Sequence, residues 1–402
     1  MTPRHGDRRL GHGERLWVAG SFVAVLPQAM APLAFSLGSL AVTGDTTTGP
    51  AMMGAMTAAQ ILCSVPVASM GHRFAPRAFV VALLGLRSAI LAVLASLFAV
   101  SAAPWALILC AGAAGAFNGA ILGHLRQALN QLSRESRRPR VLALSITLNE
   151  VLFAGAPLLS SALAQAAPWL PILTMALSAA LTIRLLPHWP AAPAASTTTR
   201  SRRRPTPLIY LWLLCTTTGG AVVASAETGA VALTVALGLA SHAAAVFPLL
   251  LCCLSIVGGA FVTFSGRRIR FRLIAAMLLV TASGGMLIAV SDDLITALIG
   301  TGLVGLCLAP LGTAYSLELD VLLTPDQKVT GFSLLRVAQA SGIVLASALL
   351  TALHPMASFA ITAALTAASC LILVACRRPL LAAERRLARP SDGAGHPDGG
   401  TA

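Results

Sequence analysis

Apolar runs separated by short polar tracts fill most of the chain between Leu16 and Cys376. Many runs are about 20 residues long, the length of helix that crosses a hydrocarbon core of about 30 Å. A helix also satisfies its own backbone hydrogen bonds inside the bilayer. The pattern therefore predicts an all-α integral membrane protein with twelve transmembrane spans. The predicted spans are 16–41, 51–70, 78–100, 104–124, 141–165, 168–187, 208–235, 243–264, 273–290, 294–316, 330–352 and 356–376.

Positive residues alternate between the gaps of this pattern. The odd-numbered gaps contain no Lys or Arg, whereas the even-numbered gaps and both ends of the chain carry nearly all of them. Since positive loops stay in the cytoplasm, both termini are predicted to be cytoplasmic. All five tryptophans fall near span ends, which predicts an interfacial aromatic belt. They are Trp17, Trp105, Trp169, Trp189 and Trp212.

The composition excludes a soluble protein. Hydrophobic residues make up 56% and charged residues 10% of the 402, with a mean hydropathy of +0.82, whereas soluble domains carry about 25% charged residues. The net charge of +14 lies in loops that set topology, so we expect no nucleic-acid partner. Lys328 is the only lysine among the 28 Lys and Arg residues, which is typical of a GC-rich bacterial genome and places the protein in a bacterial plasma membrane.

The chain divides into two similar halves. A cytoplasmic segment (1–15) precedes six spans (16–187), and a polar cytoplasmic linker (188–207) leads to six more (208–376). A tail (377–402) follows and is predicted to be disordered. Two parallel six-helix repeats are typical of carriers that work by alternating access.

The loop after the second span has a family signature. Residues 71–77 read Gly-His-Arg-Phe-Ala-Pro-Arg, which resembles the loop 2–3 motif G-x-x-x-D-R-x-G-R-[RK] of the major facilitator superfamily. Arg73 and Arg77 fit the basic positions, and His72 stands where the family has aspartate. The resemblance implies a cytoplasmic gating loop that starts at Gly71 and works with Arg126 at the end of span 4.

A second stretch, in span 5, resembles the G-P-x-x-G-G motif of proton-coupled exporters in the same superfamily. Only Pro157 matches exactly, Ala156, Ser160 and Ser161 keep the small size of the motif positions, and Gly155 lies beside them. The resemblance implies twelve helices in two six-helix bundles and secondary transport.

Two acids lie inside predicted spans, where a charge costs several kcal/mol and is a functional candidate. Glu150 is near the middle of span 5, and Glu227 is late in span 7, a cavity-lining helix in the family. Burial raises the pKa of a carboxyl group in general, which suits proton coupling. The alternatives are a structural acid beside the Pro157 break for Glu150, and a hydrated surface acid for Glu227.

Among the other polar residues in the spans, one arginine and four amides are further candidates. Arg87 lies in the middle of span 3. We expect it to have a structural role, in which its guanidinium pairs with an acid, contacts water or extends to the membrane surface. Gln28, Gln60, Asn118 and Gln339 are candidates for the substrate cavity, or else interhelical hydrogen-bonding groups.

These observations predict a secondary active transporter, proton-coupled, that exports a hydrophobic or amphipathic compound. The expected partners are a small-molecule substrate, protons and the lipid bilayer, for a chain that acts as a monomer. The sequence carries no nucleotide, metal or nucleophile–base motif, so we expect no enzyme and no cofactor. The alternatives are uptake or uniport of a metabolite, and a transporter-like sensor without transport activity.

Overall fold

The computed structural model describes residues 10–134, 137–189, 207–265, 270–323 and 325–376. The side chains at 72, 139, 143, 207–208, 263–265 and 325–330 lie outside this description. So do the predicted tail and residues 190–206 of the predicted linker.

The described residues form fourteen α-helices and two short 3-10 turns. In chain order the helices are α1 (His12–Thr43), α2 (Thr48–Met70), α3 (Pro76–Ala99), α4 (Pro104–Gly115), α5 (Asn118–Leu132), α6 (Arg138–Ala166), α7 (Leu170–Leu185), α8 (Pro207–Thr228), α9 (Ala230–Ala236), α10 (Val246–Ser265), α11 (Phe271–Ala289), α12 (Leu294–Leu322), α13 (Pro325–Ala352) and α14 (Pro355–Ala375). The 3-10 turns are Gly71–Arg73 and Ser241–Ala245.

Eleven segments of the described chain are long and apolar enough to cross a membrane, and α7 is a shorter apolar helix of 16 residues. The all-α membrane fold is thus confirmed, with one of the twelve predicted spans short. Two predicted spans are broken. Span 4 is interrupted between α4 and α5, and it continues to Leu132, because polar helical turns extend beyond its apolar run. Span 7 is interrupted at Gly229, between α8 and α9.

The first six and the last six spans pack in the same way. Helix α1 packs on α6 and α7, and α8 packs correspondingly on α13 and α14. The α2–α4 pair corresponds to α10–α12. In each pair a glycine allows close approach. A Cβ on Gly115 would lie 2.1 Å from the carbonyl oxygen of Met56, and one on Gly258 would lie 2.1 Å from that of Leu306. We call α1–α7 the N-terminal half and α8–α14 the C-terminal half.

Contacts between the halves are concentrated at one end of the bundle. Ser36 Oγ donates to the Thr228 carbonyl oxygen at 3.2 Å, and Ser161 Oγ donates to the His242 carbonyl oxygen at 2.9 Å. The opposite end carries the Arg-rich loops after α2 and α5, and we call it the basic end. The halves therefore close the bundle away from the basic end.

Three tryptophans contradict the predicted interfacial belt. Trp17 and Trp189 are buried in the core of the N-terminal half, and Trp212 is buried in the core of the C-terminal half, whereas Trp105 is 67% exposed. Large aromatic side chains gain more by filling gaps between helices than their position near a span end suggests. Trp189, in the segment predicted as the linker, packs in the core of the N-terminal half.

Candidate functional site

Two cavities meet at the centre of the bundle. The smaller, of about 60 Å³, lies between the halves and is lined by Gln28, Met53, Phe153, Pro157, Glu227 and Cys252, among others. The larger, of about 190 Å³, lies within the C-terminal half and is lined by Thr216, Glu227, Val304, Leu308, Tyr315 and Gln339, among others. Glu227 and Ile343 line both cavities, so they stand where the two spaces join.

A hydrogen-bonded cluster forms the wall of the N-terminal half. Arg87 Nη1 donates to Asn118 Oδ1 at 2.8 Å. Asn118 Nδ2 donates to Gln60 Oε1 at 2.9 Å and also to Gln28 Oε1. Arg87 and Asn118 are each 1% exposed. The structure thus brings four of the predicted residues into a single cluster that joins α1, α2, α3 and α5.

The local sequence explains how Asn118 reaches this position. The helix break at 116–117 makes Asn118 the first residue of α5. Just before the break, Gly115 lets α4 contact the backbone of α2 at Met56. Gln60 follows Met56 by one helical turn on α2, which puts it beside Asn118. The close approach at a glycine therefore sets the distance between two polar side chains.

Arg87 was expected to pair with an acid or to reach water or the surface; its side chain is buried and pairs with no acid in the described part of the chain. Its single hydrogen-bond partner is the Asn118 amide, its Nε is buried without a partner, and its side chain is almost fully enclosed. The guanidinium is therefore held by an amide oxygen inside the protein. Its described partner is therefore neutral, and its structural role stays a prediction.

The wall of the C-terminal half is different. Glu227 is partly buried near the end of α8, and it makes no hydrogen bond or ion pair among the described residues. Gln339 on α13 is exposed to the larger cavity and is likewise without a described hydrogen bond. The acid and the amide therefore remain available to a solute in the cavity.

Glu150 lies outside the two cavities but close to them. It occupies the same face of α6 as Phe153 and Pro157, which line the smaller cavity, one turn nearer the basic end. Its side chain is exposed and lies within electrostatic reach of Cys252 on the opposite half. In contrast, Gly155 faces open space and has no neighbour within 4 Å of its Cβ position.

The loop after α2 packs against α5. Gly71 is buried, and a Cβ there would lie 2.7 Å from His124 Nε2. The rings of Phe79 and His124 lie 5.2 Å apart. Arg73 is exposed, whereas Arg77 is half-buried with its Nε unbonded. The side chain of His72 lies outside the described residues, and its role in gating stays a prediction.

Two arginines face each other at the basic end. Arg126 on α5 and Arg336 on α13 are both exposed, and they lie within electrostatic reach of each other across the two halves. Neither forms an ion pair with a described residue. The basic end of the gap between the halves therefore carries positive charge.

Sequence reasoning also missed Tyr315 and Thr216, which line the larger cavity, and Cys252 in the smaller one. A tyrosine in an apolar span is the one signal that could have marked this wall. A further miss is Glu14, assigned to a terminal segment. It is buried in the first turn of α1, where it accepts hydrogen bonds from Ser133 Oγ at 2.6 Å and the Gly11 amide at 2.8 Å.

The sequence profile of the Major Facilitator Superfamily matches residues 16–347. No curated protein matches the chain. Among solved structures, the peptide-transporter-family protein PepTSo superposes with a TM-score of 0.72 at 9% identity, over 93% of this chain and 99% of that one. The nucleoside transporter NupG gives 0.69 at 11% identity, over 91% and 99%.

A bacterial homologue of the human lysosomal transporter Spinster, in an inward-facing and unoccupied conformation, also superposes with a TM-score of 0.69. The identity is 13%, over 96% of this chain and 100% of that one. At such low identity these likenesses establish the fold.

Proposed function

The chain belongs to the major facilitator superfamily and is a secondary transporter of a small solute, and from this premise we propose that it exports an amphipathic compound in exchange for protons. Glu227 is the proton-carrying group in this proposal. The single observation that carries it is the position of this acid, which stands unpaired where both cavities meet.

Exchange requires one group that a proton and a solute occupy in turn. Glu227 has no cation, amide or hydroxyl partner among the described residues that would hold it permanently ionised. A carboxyl group in such surroundings can be neutralised by a proton or by a solute cation. Arg87 is buried beside an amide on the other half, so it does not serve as the permanent counter-ion.

Glu150 serves this proposal as a proton-transfer group at the mouth of the site. It lies on the cavity face of α6 toward the basic end, and it is exposed. In this exchange protons leave toward that end, so they would pass Glu150 after they leave Glu227. Glu150 is therefore expected to affect the rate of exchange, whereas Glu227 is expected to be required for it.

The apolar lining supports an amphipathic cargo. Val304 and Leu308 face the larger cavity, and Met53 and Phe153 face the smaller one. Such surfaces favour the burial of an apolar body, and the few polar groups at the junction orient it. Because the exported compound and the proton compete for the same acid, transport of the compound moves protons in the opposite direction.

The experiment is solute-driven proton movement in proteoliposomes loaded with a pH-sensitive dye, with a panel of lipophilic amines. The wild-type protein is expected to give a proton signal. Glu227→Gln is expected to abolish it, and Glu150→Gln to slow it. The matched control is Asp292→Asn, which removes an exposed acid from the loop before α12.

Undiminished exchange in Glu227→Gln, with protein shown to be folded and inserted, would contradict the role of this acid. Solute flux without proton movement would favour uniport, and silence across the panel would favour a transporter-like sensor.

A further inference from the structure

The hydrogen-bond chain that starts at Arg87 has a fixed direction. A guanidinium can only donate hydrogen bonds, so the Asn118 atom that faces it must be the oxygen. The Asn118 nitrogen then donates one hydrogen to each glutamine oxygen, of Gln28 and of Gln60. None of the three side-chain amides can exchange the positions of its oxygen and nitrogen without losing a hydrogen bond. The chemistry of one buried arginine thus determines the orientation of three amides.

At the two ends of this hydrogen-bond chain, the donor groups point away from the cluster. The amide nitrogens of Gln28 and Gln60 make no hydrogen bond among the described residues, and both side chains are half-buried. Gln28 lines the smaller cavity. A glutamine whose oxygen is engaged has only its NH₂ group left to offer a solute. Gln28 therefore presents a hydrogen-bond donor to the cavity.

The opposite wall presents an acceptor. Glu227 lines the same cavity from α8, and its ionised carboxylate can only accept hydrogen bonds. Between the two walls lie the apolar side chains of Met53, Phe153 and Ile343. The site is thus polarised across its width, with a donor from the N-terminal half and an acceptor from the C-terminal half.

We propose that Arg87 is a positioning residue for substrate selection, and that the cargo is an amphipathic amine that also carries a hydrogen-bond acceptor, a carbonyl or carboxylate. The amine would bind Glu227 and the acceptor would bind the Gln28 amide. Arg87 itself is enclosed and does not touch the solute; it acts through Asn118. This inference rests on the proposed exchange at Glu227.

The charge at the basic end supports the same cargo. A solute that approaches from that end passes Arg126 and Arg336, which form no ion pair with a described residue. These side chains repel any cation and attract a carboxylate. An amine that lacks a carboxylate is therefore disfavoured at the mouth, and one that lacks any acceptor is disfavoured at the donor wall.

Four probes of similar size test this selection. Their equilibrium binding to the full-length protein in nanodiscs is measured without an ion gradient. Phenylalaninamide carries an amine and a carbonyl, and phenylalanine carries an amine and a carboxylate. 2-Phenylethylamine has the amine alone, and 3-phenylpropionate has the carboxylate alone. The first two are expected to bind, and each single-group probe to bind about tenfold more weakly, since one hydrogen bond or ion pair is missing.

Variants distinguish a positioning role of Arg87 from a purely structural role. Arg87→Lys keeps a donor-only group and is expected to retain the preference for phenylalaninamide over phenylethylamine. Arg87→Met frees the Asn118 amide to turn, so the ratio should fall toward one. Gln28→Glu replaces the NH₂ by an acceptor oxygen and should reverse the preference. Arg184→Met, in the exposed last turn of α7, is the control that removes a charge elsewhere.

Equal binding of phenylalaninamide and phenylethylamine to the wild type would overturn the inference, as would an unchanged ratio in Arg87→Met or no binding of any probe. If Arg87→Met does not fold, the ratio in Gln28→Glu decides. Selective binding without proton movement would support this inference and overturn the proposed exchange. Proton movement together with equal binding of phenylalaninamide and phenylethylamine would support the proposed exchange and overturn this inference.

Discussion

The two halves of the molecule share one packing scheme but treat their polar residues in opposite ways. In the N-terminal half, Arg87, Asn118 and two glutamines bond to one another across four helices. In the C-terminal half, Glu227 and Gln339 have no described partner. A bonded cluster is rigid, because each group that moved would lose a partner inside a medium that offers none. An unbonded acid is free to take a proton or a solute.

This difference indicates a division of labour. The N-terminal half supplies a fixed surface, and the C-terminal half supplies the group whose state changes during transport. The helices do not impose this difference, since the α2–α4 and α10–α12 pairs each approach closely at a glycine. It comes from a few side chains on equivalent scaffolds, and it can be broken by substituting them.

The largest effect on stability is expected for Asn118→Ala. The substitution removes three hydrogen bonds and leaves the Arg87 guanidinium buried without a partner, which we expect to cost about 3 kcal/mol. Arg87→Met should cost less, about 1 kcal/mol, because it leaves an amide rather than a charge unbonded. The free energy of unfolding in detergent measures both.

Asn149→Ala is the matched control, because the Asn149 oxygen is buried without a partner and little is lost with it. If Asn118→Ala were no worse than Asn149→Ala, the cluster would not stabilise the N-terminal half.

The next largest loss of stability is expected where two helices approach closely at a glycine. These positions also test whether the two halves pack alike. A methyl group at Gly115 or Gly258 would overlap a backbone oxygen, so each change to alanine is expected to cost about 2 kcal/mol. Gly123→Ala is the control, since it meets nothing within 4 Å. A loss at only one of the two sites in thermal unfolding would show that the halves do not pack alike.

Gln28 and Gln339 compare the two walls directly. Gln28→Ala removes a hydrogen bond to Asn118 and should cost about 1 kcal/mol. Gln339→Ala removes an amide with no described bond, so we expect it to leave the unfolding midpoint unchanged. Equal losses in parallel denaturation curves would mean that the second wall is also bonded, and would remove the contrast between the halves.

The smallest expected effect is a pH dependence of the stability of the C-terminal half. Asp293 caps α12, and hydrogen bonds from the Thr296 amide at 2.8 Å and the Thr296 hydroxyl at 2.7 Å lower the pKa of this carboxyl group. The stabilisation is present above the unfolded pKa, and it is lost as the pH falls through the lowered folded pKa. The corresponding helix α4 has Ala103 at its N-cap and no side-chain capping hydrogen bond.

Asp293→Asn keeps the cap but removes its titration, so the unfolding temperature of the variant should fall less than that of the wild type in acid. Identical acid profiles for the two proteins would show that the cap does not contribute.

The sequence alone determined the class, the number of spans to within one short helix, and the polar candidates Gln28, Glu227 and Gln339 among the residues that line the cavities. A continuous apolar run of about 20 residues has few options in a bilayer, and a polar residue inside it stands out, because its burial is costly. For this reason Gln28, Gln60, Asn118, Arg87 and Glu227 could be chosen one by one. Their grouping could not, because partners on four helices are far apart in the chain.

Tertiary structure decided which of these groups are bonded and which are free. The partner of Arg87 depends on the approach of α4 to α2 at Gly115, which the sequence shows only as a small residue. The burial of Trp17 and Glu14 depends on neighbours from distant segments. A pattern along one helix fixes what that helix can bury, whereas the packing of several helices fixes whether each polar group meets a partner or an open cavity.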